Sequence, residues 1–201
     1  MIALAGGGIG VQTVEGILQL LRVQLEGRRK MSAEEFVRGQ RKFIGALDPM
    51  VVFRNAKVAL DLGIHVEMVF LVVTGANDYS ECYEWVLEKH VGILGYDVPL
   101  HINRYYPSWK YHGPPTSLKV LLEIYRKAKE EYGIRYVYVG NIGDPKYETT
   151  YCPKCGKPLI TRSGYRVIYY RLTKDNKCPY CGFKVNIVGK YVLNKELSFT
   201  I

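Results

Sequence analysis

The spacing of apolar positions changes along this chain, and each change marks an element. Val11, Val14, Leu18, Leu21 and Leu25 recur at i, i+3, i+7, i+10 and i+14, a stripe that predicts a helix over 11–25. Ile2-Ala3-Leu4-Ala5 before it reads as a short strand, with Gly6-Gly7-Gly8-Ile9-Gly10 as a flexible turn between them. A phosphate loop fails there in detail. The third glycine of G-x-G-x-x-G would fall on Val11 or Thr13, and no Gly-Lys-Ser/Thr follows.

From Asp48 the pattern becomes regular. Asp48-Pro49 supplies an N-cap and a proline for the first helical turn, and Val52, Ala56, Ala59 and Leu60 share one face until Gly63. Ile64 to Val73 is largely β-branched and apolar, which predicts a buried strand. Thr74-Gly75-Ala76-Asn77 turns the chain, and Asp78 with Glu81 resembles a capping box for a helix through His90. Val98 to Arg104 is the next strand. Thr116 caps a helix to about Tyr132, Gly133 stops it, and Arg135 to Val139 is a third strand. Helices alternating with strands predict parallel pairing and right-handed crossovers, hence an α/β body. Three or four strands are too few for a closed eightfold barrel; they make a piece of one or a small open sheet.

Tyr105-Tyr106-Pro107-Ser108-Trp109-Lys110-Tyr111-His112-Gly113-Pro114-Pro115 is longer than an ordinary connection and rich in aromatics. It follows the C-terminal end of a strand, where α/β folds keep their sites, so it reads either as a substrate-facing lid or as an aromatic flap packed on the sheet.

Charge changes the picture at the C-terminus. The 201 residues carry a formal charge of +9, but Pro145 to Ile201 holds 11 Lys+Arg against 3 Asp+Glu and the rest is nearly neutral. Lys154, Lys157, Arg162, Arg166, Arg171, Lys174 and Lys177 interleave with Tyr165, Tyr169, Tyr170 and Tyr180, a composition suited to RNA or an acidic protein. No run reaches 18 apolar residues, and the first 25 residues lack a basic n-region, so the expectation is a cytoplasmic chain with no membrane partner.

The sharpest chemical signal lies in the same quarter. Cys152-Pro-Lys-Cys155-Gly and Cys178-Pro-Tyr-Cys181-Gly are two matching knuckles at C-x2-C-x22-C-x2-C spacing. Each proline fixes φ inside its knuckle, and each glycine can take positive φ and so turn backbone N–H groups toward sulfur. Four thiolates so placed suit structural zinc; rubredoxin-like iron has the same donor set, and a disulfide pair is the remaining alternative. Strands at Ile160–Arg162 and Tyr165–Leu172 flank the turn Ser163-Gly164, and Phe183–Val188 is expected as the third strand of the ribbon.

Other candidates are less specific. Cys82 lies on a stripe with Tyr79, Tyr83, Val86, Leu87 and His90 and reads as a packing thiol. His65, His101 and Glu67 make a site only if neighbouring strands bring them together. Lys127, Lys129, Glu130 and Glu131 read as a solvated helix face.

Several stretches, in order, resemble the C-terminal part of radical S-adenosylmethionine proteins related to pyruvate-formate-lyase-activating enzyme, of the AmmeMemoRadiSam type. They are Ile64 to Asp78, Pro99 to Pro107, Pro114-Pro-Thr116, Tyr136 to Asn141, and the ribbon beginning Thr150-Tyr-Cys-Pro-Lys-Cys155. The resemblance covers Ser32 to Val188; residues 1–30 do not fit it. It implies a partial (β/α) barrel, S-adenosylmethionine bound at strand C-termini near Thr74, Gly75, Asn77, His101 and Arg104, and a three-stranded zinc ribbon on Cys152, Cys155, Cys178 and Cys181. It also implies a [4Fe–4S] cluster on a C-x3-C-x2-C loop, and here the sequence departs. No cysteine precedes Cys82, and none downstream has that spacing.

The expectation is therefore a truncated or split protein of this kind, inactive by itself and served by a companion chain or by self-association. Alternatives are a non-catalytic basic zinc-ribbon module binding RNA or an acidic protein, and a rubredoxin-like electron carrier. The expected organisation is an atypical segment over 1–47, a partial barrel over 48–144, a ribbon over 145–190 and a tail over 191–201.

Overall fold

The structure, a computed structural model, describes residues 2–3, 9–13, 16–20, 22–23, 31–32, 48–108, 112–164 and 166–188. Contacts group the chain into two units, Met1–Asn55 and Ala56–Ile201. In the first unit β1 (Ile2–Ala3), β2 (Ile9–Thr13) and β3 (Gly16–Leu20) form an antiparallel sheet in that order, with Thr13 opposite Gly16. β4 (Arg22–Val23) pairs with β5 (Met31–Ser32).

The short strand at Ile2 lies where the sequence predicts it, but the helix expected over 11–25 is replaced by β2 and β3. Gly16 costs a helix about 1 kcal/mol relative to alanine, and Val11, Thr13, Val14 and Ile17 are β-branched and favour a pleat.

The first described helix, α1 (Met50–Asp61), begins as predicted, with Asp48 Oδ1 accepting the Met50 N–H at 2.9 Å. Gly63, at φ 77°, ends it: its N–H bonds the Leu60 carbonyl and that of Ile64 bonds Ala59, the paired bonds of a Schellman cap. Ile64 belongs to that cap, and β6 is the shorter Met68–Val72. The division between units falls inside α1.

β6, β7 (Leu100–Arg104) and β8 (Val137–Gly140) pair in parallel in sequence order. α2 (Ser80–Lys89), which runs on into a π-helical turn at His90–Leu94, and α3 (Leu118–Glu130) make the intervening crossovers. One sheet face carries Phe70, Val72, Leu100, Ile102, Val137 and Val139 into a core shared with Leu87, Leu121 and Ile124. Fully burying such side chains stabilises by roughly 1.5–3 kcal/mol each.

Two expected caps are used differently. Asp78 accepts the Gly75 N–H at 2.8 Å and closes the preceding turn, while Tyr79 occupies the N-cap of α2. Ser117, not Thr116, precedes α3. The Thr116 hydroxyl is buried and donates to the Val72 carbonyl, while accepting the Tyr105 N–H at 3.1 Å.

A barrel is not formed among the described residues. β6 and β8 are both sheet edges, and helices cover one face. The ribbon follows a short helix, α4 (Pro145–Glu148), capped by Asp144. Its sheet is three-stranded, ordered β11 (Arg166–Tyr170), β10 (Pro158–Ser163), β9 (Thr150–Tyr151). The third strand is thus β9, not Phe183–Val188. In that segment Lys184 makes a single bridge to Lys177, and the Asn186 N–H donates to the Tyr136 hydroxyl at 3.0 Å. No helix among the described residues is long and apolar enough to cross a membrane.

Candidate metal centre and the uncovered sheet face

The two cysteine knuckles are congruent. Cys152 N–H bonds the Lys157 carbonyl at 2.9 Å and Cys178 N–H bonds that of Phe183 at 2.8 Å. Gly156 and Gly182 return their N–H groups to the Cys152 and Cys178 carbonyls, both at 2.9 Å, with φ of 69° and 72°. Only glycine takes that backbone readily, which is why both knuckles carry it.

The four sulfurs all lie within 4.8 Å of one another, with Cys152 and Cys181 3.5 Å apart and Cys155 and Cys178 3.7 Å apart. All four cysteines are free of disulfides, and a metal 2.3 Å from each of four tetrahedral thiolates needs sulfur separations of about 3.8 Å. The donor set therefore fits a tetrahedral ion, zinc or iron alike.

Cys152 and Cys178 are buried. Burial pushes the Cys178 thiol up, but backbone N–H groups of Tyr180 and Cys181 aimed at its sulfur outweigh this and bring it down to about 7. Cys181 on the same knuckle goes the other way: a backbone N–H from Phe183 lowers it, but burial and the neighbouring thiols outweigh that and push it up to about 12, so the preference for a thiolate belongs to Cys178 and not to the knuckle. The arrangement does not fit a radical cluster loop, because all four thiolates converge on one point and leave no open ligand position.

The second assembly lies on the sheet face away from the helices. In register, Val69, His101 and Tyr138 form one cross-strand row, and Leu71, Asn103 and Gly140 the next. Val69 and Leu71 are 62% and 45% exposed, so half of this face at β6 is apolar and open.

Strand pairing does bring the two histidines together. Glu67 accepts from His65 Nε2 at 3.0 Å and from His101 Nε2 at 2.8 Å. The bond from His101 dominates, burial opposes it and the bond from His65 assists, holding the Glu67 carboxyl at about 2. An ionised carboxylate facing both rings accepts from each Nε2, which therefore carries a proton.

His101 also stacks on Tyr138, with ring centroids 4.9 Å apart. The Tyr138 hydroxyl meets Thr150 Oγ1 at 2.9 Å, and Arg162 donates to the same Thr150 oxygen at 2.9 Å. Glu67, Tyr138, Arg162, Tyr136 and Tyr170 border a cavity of about 280 Å³ between sheet and ribbon, at the lower limit for a small-molecule site.

The residues that the resemblance assigns to S-adenosylmethionine fall in two places. Thr74, Gly75 and Asn77 form the turn after β6, next to Arg104 at the end of β7. Asn77 grips its own strand: Oδ1 accepts from Val73 N–H at 2.7 Å, and Nδ2 donates to the Leu71 carbonyl at 3.0 Å. Arg104 donates to the Thr116 carbonyl at 2.8 Å and to the Tyr106 hydroxyl at 2.9 Å, pinning the aromatic loop to the strand end. His101 lies three residues further back, roughly 10 Å along the strand. Trp109 and its neighbours to Tyr111 lie outside the described residues, so the lid and flap readings are not separated.

Sequence reasoning passed over Asn141, whose side chain donates to the Arg104 carbonyl at 3.1 Å and whose own carbonyl accepts from the Tyr106 hydroxyl at 3.0 Å. Its φ of 63° is a left-handed conformation that asparagine tolerates, and Gly-Asn after a strand is the signal that could have found it. Cys82 is half-buried and its thiol is pushed up by burial, in keeping with a packing role. Lys129 is not on a solvated face as expected: it is half-buried, over the rings of Tyr125 and Tyr151.

Comparison with known proteins gives two partial likenesses. Residues 1–41 match the family model described as formyl transferase, C-terminal domain. An uncharacterized protein of Methanocaldococcus jannaschii is 37% identical over 139 residues, covering 68% of this chain and 41% of the relative. The chain thus matches less than half the length of that relative. No solved structure matches the chain significantly.

Proposed function

We propose that residues 48–188 are the C-terminal part of a protein of the radical S-adenosylmethionine type related to pyruvate-formate-lyase-activating enzyme, with an appended zinc ribbon. In this reading the cluster-bearing strands come from outside these residues, and the chain alone catalyses nothing. The observation that carries the reading is the one-sided sheet. Three parallel strands have helices on one face, and the other face presents Glu67, His101, Asn103 and Tyr138 beside the open apolar row of β6. A barrel wall has that construction, with its inner face turned toward a lumen. The match to less than half of a longer archaeal protein agrees with it.

The cysteines present serve the ribbon and leave none for a three-thiolate loop, so no step through a cluster is assigned to this chain. Four unpaired thiols suit a reducing, cytoplasmic setting. The test is anaerobic reconstitution with iron and sulfide, then assay for 5′-deoxyadenosine from S-adenosylmethionine. This chain should give none above a no-enzyme control, whereas the full-length archaeal relative treated identically should give it. Activity from this chain, or an inert and cluster-free relative, overturns the reading.

A further inference from the structure

Cations are handled differently in the two parts of the second unit. In the body, Lys57, Lys89, Arg126, Lys127 and Arg135 each sit within 4 Å of a carboxylate among the described residues, while Arg104, Lys119, Lys129 and Lys146 do not. Between residues 150 and 188 there are eight, Lys154, Lys157, Arg162, Arg166, Arg171, Lys174, Lys177 and Lys184, against a single acid, Asp175. None of these eight has an ion-pair partner among the described residues, and all but Arg162 are exposed. Four thiolates on a divalent ion contribute about −2, which lowers the net +7 of this stretch only to about +5. Offsetting the metal centre does not account for the excess.

The aromatics of the same surface are arranged for contact. β11 is an edge strand of the ribbon sheet, and Ile168 and Tyr169 on it are 47% and 56% exposed. The Arg171 guanidinium lies 5.5 Å from the Tyr169 ring centroid and donates to the Tyr180 hydroxyl at 3.0 Å, so it links the two rings. Tyr180, on the second knuckle, is 51% exposed. Lys174 and Lys177 lie in the turn between β11 and that knuckle.

We propose that this Tyr169–Arg171–Tyr180 platform binds single-stranded nucleic acid, with bases on the two rings and the guanidinium, and phosphates on the flanking lysines and Arg166. Stacking accepts any base, so the surface should show little sequence preference. An acidic protein would use the same cations but has no need of exposed rings bridged by an arginine, and a paired duplex presents few base faces to them.

The test is fluorescence anisotropy of a labelled twelve-nucleotide oligouridylate against the zinc-loaded full chain, with the matching oligodeoxythymidylate and a duplex as further probes. Three phosphate contacts, at Lys174, Lys177 and Arg166, predict a fall in affinity of about 20-fold between 50 and 200 mM salt. The Tyr169→Ala, Tyr180→Ala double variant, checked for unchanged zinc content, should lose about tenfold or more while keeping that salt slope. Equal binding of RNA and DNA strands supports the assignment. A duplex bound as tightly as the single strand, a double variant that binds normally, or competition by polyglutamate as effective as by oligonucleotide overturns it.

Discussion

Thr116 has no exposed surface, and its hydroxyl joins the end of β6 to the backbone of the loop after β7. Thr116→Val keeps the shape but leaves the Val72 carbonyl and the Tyr105 N–H without this partner, at an expected cost of about 2–3 kcal/mol in urea unfolding. Local rules alone could not separate it from Ser117 as the helix cap, since both are good capping residues and only the tertiary partner distinguishes them. His90 raises a similar point. It is fully buried, its Nε2 donates to the Val98 carbonyl at 3.0 Å, and burial lowers its pKa despite that bond. Because the unfolded chain then binds the proton more readily, stability should fall as pH drops below about 6.5. His90→Phe should flatten that slope between pH 7.5 and 5.5, and an unchanged slope would assign the titration elsewhere. The sequence marked His90 as part of an apolar stripe, but not the π-helical turn that begins at it.

At the scale of elements, the ribbon is the part most fully legible in advance. Cys-Pro-x-Cys-Gly twice over dictates two turns of one shape, and the two knuckles have matching bonds and matching glycine conformations. What misled was Phe183–Val188, whose alternating Phe183, Val185 and Ile187 mimic a strand. These side chains are taken up by packing around Leu159 and Leu172 rather than by a ladder. Purified protein should carry about one metal per chain, and Cys178→Ser should abolish it. A structural ion contributes on the order of 10 kcal/mol to such small modules, so chelation should expose amides of β9 to β11 to hydrogen exchange while β6 to β8 stay protected. Elemental analysis separates zinc from iron, and a variant that retains a full equivalent would remove Cys178 from the ligand set.

For the whole molecule, alternation of helix and strand made the parallel order of β6, β7 and β8 readable. It could not say how many strands complete the layer, because that depends on partners across an edge rather than on local periodicity. β6 is such an edge, with Val69 and Leu71 exposed on a strand that pairs only with β7 among the described residues. An edge of this kind is a template for another strand. Each large apolar side chain left in water forgoes roughly 1.5–3 kcal/mol of burial, so covering this row would drive association. On the proposed reading this sheet is one wall of a structure completed by further strands, whether from a companion chain or a second copy. Sedimentation velocity of the isolated full chain at micromolar concentration, run beside an apolar-dye titration, tests that claim most directly. The account predicts species of at least twice the 23.0 kDa chain mass, with bound dye on whatever monomer remains. A stable monomer that binds no dye would contradict it.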